Sequence, residues 1–298
     1  MLSSGSNKIM KPKYSICMIN LNMDNTIKES VSSIASQLDE NYEIVIHDGG
    51  SNDKSIQIIK NLQKKFNFIK LIESNRDKTR KLGLERNISV NKAEGEYVLL
   101  HIDCDDIYGP FIKDWVNLFH IIESKYGNDI LVSGAHINML KKDTFLKIGG
   151  YKNINFEDRD LWMRFADKKK WINWKHKDFC KRLEKKSSHK FYRTYIDTYN
   201  GMVLDFQNGL SLFKAIFIHI HNITNSFGKF NLLRFFYIFP AFIQSLFKKR
   251  LNEDIKLNPV SFSEIRKNNL FTFKEIIGED FDYNNLNINE KSKEYFFL

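Results

Sequence analysis

Apolar positions in the first hundred residues switch between two periods. Residues 14–21 (YSICMINL), 42–47 (YEIVIH), 68–72 and 97–102 (YVLLHI) are apolar runs of strand length. Between them, residues 26–37 carry Ile27, Val31, Ile34 and Ala35 at helical spacing, and residues 55–66 carry Ile58, Ile59 and Leu62 on one face. Residues 82–93 predict a third helix. The run at 97–102 is apolar on both faces, which predicts a buried strand. This alternation predicts a parallel sheet covered by helices on both sides.

In such sheets ligands bind beyond the carboxyl ends of the strands. Polar residues collect at three of those ends: Asn22-Met23-Asp24-Asn25, then Asp48-Gly49-Gly50-Ser51-Asn52-Asp53, then Asp103-Cys104-Asp105-Asp106. No G-x-G-x-x-G follows the first strand, and no G-x-x-x-x-G-K-[ST] occurs. A dehydrogenase-type dinucleotide site and a P-loop are therefore disfavoured. An acidic, glycine-poor edge repels phosphate unless a metal intervenes.

Asp103 and Asp105 stand two apart at the end of a strand, so in extended backbone their carboxylates share a side and Cys104 turns away. Paired carboxylates suit Mg²⁺ or Mn²⁺, which bridges diphosphate oxygens. The plainer reading is an acidic turn, with Asp106 capping the next helix and Pro110 in the turn that follows. Further on, Glu157-Asp158-Arg159-Asp160-Leu161 follows a Gly149-Gly150-Tyr151 turn, and Leu161, Trp162 and Phe165 predict a helix starting near Asp158. Acids at a helix start serve as caps and dipole partners; the alternative is a carboxylate base facing the metal site.

The order of these pieces resembles glycosyltransferase family 2, nucleotide-sugar transferases of the GT-A fold. The pieces are SICMINLNMDN, IVIHDGGSND, ERNISVNKAEGEY, HIDCDD and FLKIGGYKNINFEDRDLWMR, and the resemblance covers roughly residues 14–170. It implies an α/β fold: a GT-A, Rossmann-like, mostly parallel sheet flanked by helices. It implies a nucleotide-sugar site of Asn20, Asn22, Asp48, Gly49, Gly50, Ser51, Arg86, Asp103 and Asp105, with Asp48 at the nucleobase and Arg86 near the nucleotide. Asp103 would lie near ribose and metal, Asp105 would be the principal ligand of Mg²⁺ or Mn²⁺, and Asp158, with Glu157 beside it, would be the general base. Direct displacement with one base inverts the anomeric carbon. The sequence departs from the family at residue 49, Gly where many members have a second Asp. The interval between HIDCDD and FEDRD is also short, which implies a trimmed acceptor region.

Composition locates the rest. The 298 residues include 46 Lys and Arg against 36 Asp and Glu, a net of +10, with 42% hydrophobic and 14% aromatic residues. That excludes a disordered chain. Cys17, Cys104 and Cys180 make neither a zinc pattern nor a disulfide framework, which points to a reducing compartment. From Lys168 to Arg193 there are 11 Lys and Arg against Asp178 and Glu184, a net of +9. Trp171, Trp174 and Phe179 are interleaved there, a combination that suits a lipid headgroup interface or a lipid-linked diphosphate better than nucleic acid, for which no signature is present.

Beyond about residue 195 the alternation stops. Residues 210–223 and 232–247 are aromatic-rich and nearly free of acids, and with Pro240 in the second they are too short to span a bilayer simply. They read as helices in a membrane interface or as a helical cap. A capping box at Ser261 and Glu264 starts another helix, and the polar end before Leu298 reads as peripheral. The expected organisation is a loose tail (1–13), a catalytic domain (14–195) and a helical membrane-associating extension (196–298). The expected activity is metal-dependent, inverting transfer of a sugar from a nucleotide-diphosphate donor to a lipid-linked or polysaccharide hydroxyl. The chain would be cytoplasmic, peripheral at an anionic membrane face, and free of nucleic acid. The rivals are a non-catalytic sugar-binding or scaffold protein and a nucleotidyltransferase on a related sheet.

Overall fold

In the first half of the chain, strands and helices alternate as the hydrophobic periods predict. The elements are β1 (Tyr14–Asn20), α1 (Ile27–Ala35), β2 (Tyr42–Asp48), α2 (Ser55–Lys65), β3 (Ile69–Glu73), α3 (Leu82–Lys92) and β4 (Tyr97–Leu100). The coordinates are a computed structural model, and they describe residues 11–183, 190–225, 229–248 and 261–298. Most of the expected N-terminal tail, part of the basic stretch and the Lys249-Arg250 pair lie outside the described residues. Helix α1 buries Ile27, Ser30, Val31, Ile34 and Ala35, the inward face its spacing predicts.

Then follow β5 (Asp106–Tyr108), α4 (Ile112–Tyr126), β6 (Leu131–Gly134), β7 (Ile137–Lys141), α5 (Lys142–Lys147), α6 (Glu157–Asp167), β8 (Trp171–Lys175) and β9 (Cys180–Arg182). A helical stretch comes next: α7 (Lys190–Gln207), α8 (Leu212–Asn225), α9 (Lys229–Leu246) and α10 (Phe262–Asn268). The chain ends with β10 (Leu270–Thr272), α11 (Phe273–Ile277) and α12 (Glu290–Phe296).

Eight strands form one sheet in the order β10-β8-β6-β7-β4-β1-β2-β3. All neighbours are parallel except β7, which runs against β4 and β6. The β1–β2 register sets Asn20 opposite Asp48 at the carboxyl ends. A two-stranded antiparallel sheet pairs β5 with β9 and sets Asp106 opposite Arg182. The core is continuous on both faces of β4, whose four residues are all buried.

The chain divides into two compact units. The first holds the sheet and comprises residues 1–165, 170–185 and 270–298; the second comprises 166–169 and 186–269 and is helical where described. The final segment is therefore not peripheral. Leu270–Thr272 adds an edge strand beside β8. Phe273 and Phe296 are fully buried and pack on Trp174 at 5.3 and 5.2 Å between ring centroids.

Three local expectations are corrected. Asp106 does not cap a helix; it opens β5, and the next helix starts at Ile112 behind Phe111. Trp171, Trp174 and Phe179 do not face an interface; they are buried in the sheet unit, because β8 is an inner strand with its lysines at its two ends. Ser261 caps α10 by accepting from the Glu264 backbone, whereas the reciprocal box forms at Thr272 and Glu275. No helix among the described residues is long and apolar enough to cross a membrane.

Candidate active site at the carboxyl edge of the sheet

The loop after β2 is built around one carboxylate. Asp48 is fully buried. Its Oδ1 accepts from the backbone N–H of Gly50 (3.0 Å) and Ser51 (2.8 Å). Its Oδ2 accepts from Asn20 Nδ2 and Ser51 Oγ, each at 2.6 Å. Asn22 joins this loop to the first, since its backbone N–H donates to Ser51 Oγ and its Oδ1 accepts from the Asn52 N–H, both at 2.9 Å. Gly50 has φ +93°, and a Cβ there would lie 2.5 Å from the backbone nitrogen of Arg76, so only glycine fits. Beside it is a cleft of about 430 Å³ lined by Gly50, Ser51, Ile56, Glu73, Ser74 and Arg76, among others.

Gly49 also has a structural reason. Glu85 of α3 points at it, with Oε2 3.4 Å from where a Cβ would begin. That carboxylate pairs with Arg80 at 3.0 Å, and its Oε2 lies 3.1 Å from Nδ1 of buried His47. The acid missing from position 49 thus has a neighbour that supplies a carboxylate from another element.

The acidic turn after β4 departs from its expected geometry. The strand ends at Leu100, and His101 takes φ +61°, so residues 103–105 form a turn rather than extended backbone. Cys104 is buried in the core. Asp103, Asp105 and Asp106 nonetheless converge: each offers an oxygen, all within 4.8 Å of one another. Asp106 is fully buried, and its Oδ2 lies 3.4 Å from His136 Nδ1. An all-oxygen donor set of three converging carboxylates fits Mg²⁺ or Mn²⁺. A second group, Asp106, His136 and Cys180, shares Asp106. Arg182 Nε lies 3.1 Å from Asp106 Oδ1 and its Nη2 lies 3.6 Å from Asp103 Oδ2, which places a cation beside both groups.

Arg86 is buried rather than open to a ligand. Its Nε donates to Glu157 Oε1 and its Nη2 to Asp103 Oδ1, each at 2.8 Å. Burial pushes the Asp103 carboxyl up, but Arg86, His101 and Arg182 outweigh it and hold it down at about 2. Glu157 goes the other way. Burial first and then the charge of Asp158 raise it to about 7, against the pull of Arg86. The neighbouring Asn87 clamps the turn before α6: its Nδ2 donates to the Tyr151 carbonyl and its Oδ1 accepts the Tyr151 N–H, both at 2.9 Å.

Helix α6 places Glu157, Asp158 and Asp160 in its first turn, where the helix dipole favours them. Asp160 pairs with Arg164 at 2.8 Å, and Arg164 also donates to the carbonyls of Ile148 and Gly150. That acid is structural. Asp158 is oriented by side chains: Oδ1 accepts from Tyr151 Oη at 2.8 Å and from Asn138 Nδ2 at 3.3 Å, and His101 Nε2 lies 3.8 Å from Oδ2. The ring of His101 stacks on that of His136, 6.0 Å between centroids, and His136 also has positive φ. A bond to Asp106 raises His136, with burial opposing.

Sequence reasoning singled out the acids at 48, 103, 105, 157 and 158. It missed Glu85, Asn87, His101, His136, Asn138, Tyr151 and Arg182. The paired left-handed histidines carry no local signal, and Arg182 was counted only as part of a basic stretch.

Residues 15–124 match the sequence profile described as Glycosyl transferase family 2. The chain is 26% identical over 190 residues to the putative glycosyltransferase EpsE of Bacillus subtilis, covering 52% of this chain and 67% of that one. It is 32% identical over 97 residues to the poly(ribitol-phosphate) beta-N-acetylglucosaminyltransferase TarS of Staphylococcus aureus, covering 32% of this chain and 16% of that protein. Among solved structures, TarS 1–349 in complex with UDP-GlcNAc aligns with TM-score 0.53 at 16% identity, covering 78% of this chain and 81% of that one. The mannosyltransferase PcManGT from Pyrobaculum calidifontis, in complex with GDP-Man and Mn²⁺, aligns with TM-score 0.51 at 13% identity, covering 80% and 74%. Identities this low speak to a shared GT-A fold alone.

Proposed function

We propose that this chain, a glycosyltransferase of family 2 by its domain at residues 15–124, moves a sugar from a nucleotide-diphosphate donor to an acceptor hydroxyl with inversion. The observation that carries the reading is the convergence of the Asp103, Asp105 and Asp106 carboxylates at the sheet edge where Asp158 is held ready by Tyr151 and Asn138.

Asp158 takes the proton of the acceptor hydroxyl. The acceptor oxygen then forms its bond to the anomeric carbon as the bond from that carbon to the diphosphate breaks, and the nucleoside diphosphate leaves with the electron pair. Tyr151 and Asn138 hold Asp158 in place for that transfer. Asp103 and Asp105, with Asp106 adjacent, are the residues that would hold Mg²⁺ or Mn²⁺. Bound there, the ion supplies charge neutralisation for the diphosphate. Arg182 stands beside the same acids and reinforces that neutralisation. Asn20, Asn22 and Asp48 shape the loop that presents Gly49, Gly50 and Ser51 to the nucleoside. Arg86 fixes Asp103 relative to Glu157.

The solved relatives support a nucleotide-sugar donor, since TarS was crystallised with UDP-GlcNAc and PcManGT with GDP-Man and Mn²⁺. The acceptor is a hydroxyl of a lipid-linked or polysaccharide glycan presented at the cytoplasmic face of an anionic membrane.

The test is a panel of nucleotide sugars with Mn²⁺, Mg²⁺ or EDTA, read by thermal unfolding and by release of nucleoside diphosphate. A donor that binds the folded state raises its stability by linkage. Metal-dependent protection by one donor, followed by release, supports the proposal. Protection by none of the panel, or protection unchanged by EDTA, sinks it.

A further inference from the structure

Among the described residues, helices α8 and α9 of the helical unit bury an inner face and leave large apolar side chains exposed on the outer one. Met202, Val203, Phe206, Leu210, Ala215, Ile238 and Ala241 form a small buried core of that unit. On the outer side of α8, Phe213, Phe217 and Ile220 recur at i, i+4 and i+7. Phe213 is 86% exposed and Phe217 72%. On α9, Leu232, Phe236, Phe239, Ile243 and Leu246 recur at i, i+4, i+7, i+11 and i+14, all exposed, and Phe247 follows at 86%. Single exposed hydrophobics are ordinary, but two stripes kept in helical register, over two turns of α8 and four of α9, are not.

The charge along this interval of the sequence is of one sign. No Asp or Glu occurs between Asp205 and Glu253, whereas Lys214, Lys229, Arg234, Lys248, Lys249 and Arg250 fall in that interval. Lys214 lies 3.8 Å from Glu264. A protein partner of mixed surface charge gives no reason for removing every acid from this interval. An anionic lipid surface gives one: acids there are repelled, basic residues meet headgroups, and phenylalanines enter the acyl boundary. Neither helix is long and apolar enough to cross the bilayer.

We infer that the outer stripes of α8 and α9 are a lipid-docking surface, which lies in the plane of an anionic membrane with Phe213, Phe217, Phe236 and Phe239 inserted at the headgroup boundary. This gives the membrane placement proposed above a surface, and its test does not pass through catalysis. A chain that binds vesicles but transfers no sugar keeps the surface and loses the function; the reverse outcome separates them the other way.

The experiment is flotation of the full chain with vesicles of phosphatidylcholine alone and with vesicles enriched in phosphatidylglycerol, at low and high salt. Three variants are compared with wild type: Phe217→Ser/Phe239→Ser, Phe217→Glu/Phe239→Glu, and the control Leu146→Glu, an exposed site on α5 in the sheet unit. Circular dichroism checks that each is folded. The expected result is binding that needs phosphatidylglycerol and weakens with salt. The Ser pair lowers the partition coefficient about tenfold, the Glu pair abolishes binding, and Leu146→Glu binds as wild type. Two results overturn the inference. One is vesicle binding unchanged in both pairs. The other is no vesicle binding together with a sedimenting oligomer that the pairs dissociate, which would make the stripes a contact between copies of the chain.

Discussion

Where a side chain at Gly49 would begin, the carboxylate of Glu85 already stands, 3.4 Å away. The two positions come from different elements, the loop after β2 and the first turn of α3. A family departure that reads as a lost acid is thus answered by an acid from elsewhere. Gly49→Asp is expected to set two carboxylates against each other and destabilise the chain by about 1–3 kcal/mol. Adding Glu85→Ala to it should recover at least about 1 kcal/mol, measured as the coupling in a double-mutant cycle by urea unfolding. Independent effects of the two substitutions would show that the contact carries nothing.

Arg86 bridges two acids, so its removal leaves Glu157 without its cation and Asp103 with only the more distant Arg182. Arg86→Met is expected to cost about 3–5 kcal/mol of stability. Arg86→Lys should rescue little of it, because an ammonium cannot reproduce the two-directional guanidinium donation to Glu157 and Asp103. Denaturant midpoints for the three proteins decide the matter.

Asp158→Asn keeps the shape and the contacts to Tyr151 and Asn138 but cannot accept a proton. Transfer should fall by about 100- to 10,000-fold with donor protection retained. Tyr151→Phe removes one orienting bond and should lower the rate by about tenfold. Equal losses in both variants would point to a fold defect rather than to a lost base.

Glu157 gives a pH dependence whose sign can be worked out. Its carboxyl is raised to about 7 by burial and by Asp158. A raised folded value favours the protonated form, so the stabilising contribution is whole below the ordinary carboxylate range. It is lost as pH rises through about 7. Wild type should therefore lose about 2–3 kcal/mol relative to Glu157→Gln between about pH 5 and about pH 8. Parallel stability curves for the two proteins would remove Glu157 as the titrating group.

Asp105→Ala should leave the melting temperature without metal within about 2 °C of wild type, since it removes one of three crowded acids. Protection by donor with Mn²⁺ should disappear. Protection that survives would move the metal away from this carboxylate.

Much of the sheet was legible because β1, β2 and β4 are short apolar runs buried almost throughout, while α1 and α2 each bury one face at helical spacing. The acidic clusters were legible because strand ends are where an α/β sheet puts its chemistry. Asp103 and Asp105 were found through an incomplete local argument: the backbone has already left the strand at His101, and a turn brings the acids together. The bond from Arg86 to Glu157 joins residues far apart in sequence, and no local pattern encodes it. β8 misled for a physical reason. Inner-strand tryptophans flanked by exposed lysines have the same composition as an interfacial patch, and only burial separates the two. β10 has three residues, too few to display any period.

The return of the chain to the sheet after residue 269 changes what the helical unit is. It is an insertion, tethered at both ends, rather than an appendage. Stopping the polypeptide before Leu270 would remove the edge strand, strip Phe273 and Phe296 from Trp174, and open the far side of the core. The helical unit is therefore to be dissected by excising it and rejoining its two flanks, because clipping the chain from its end damages the sheet first.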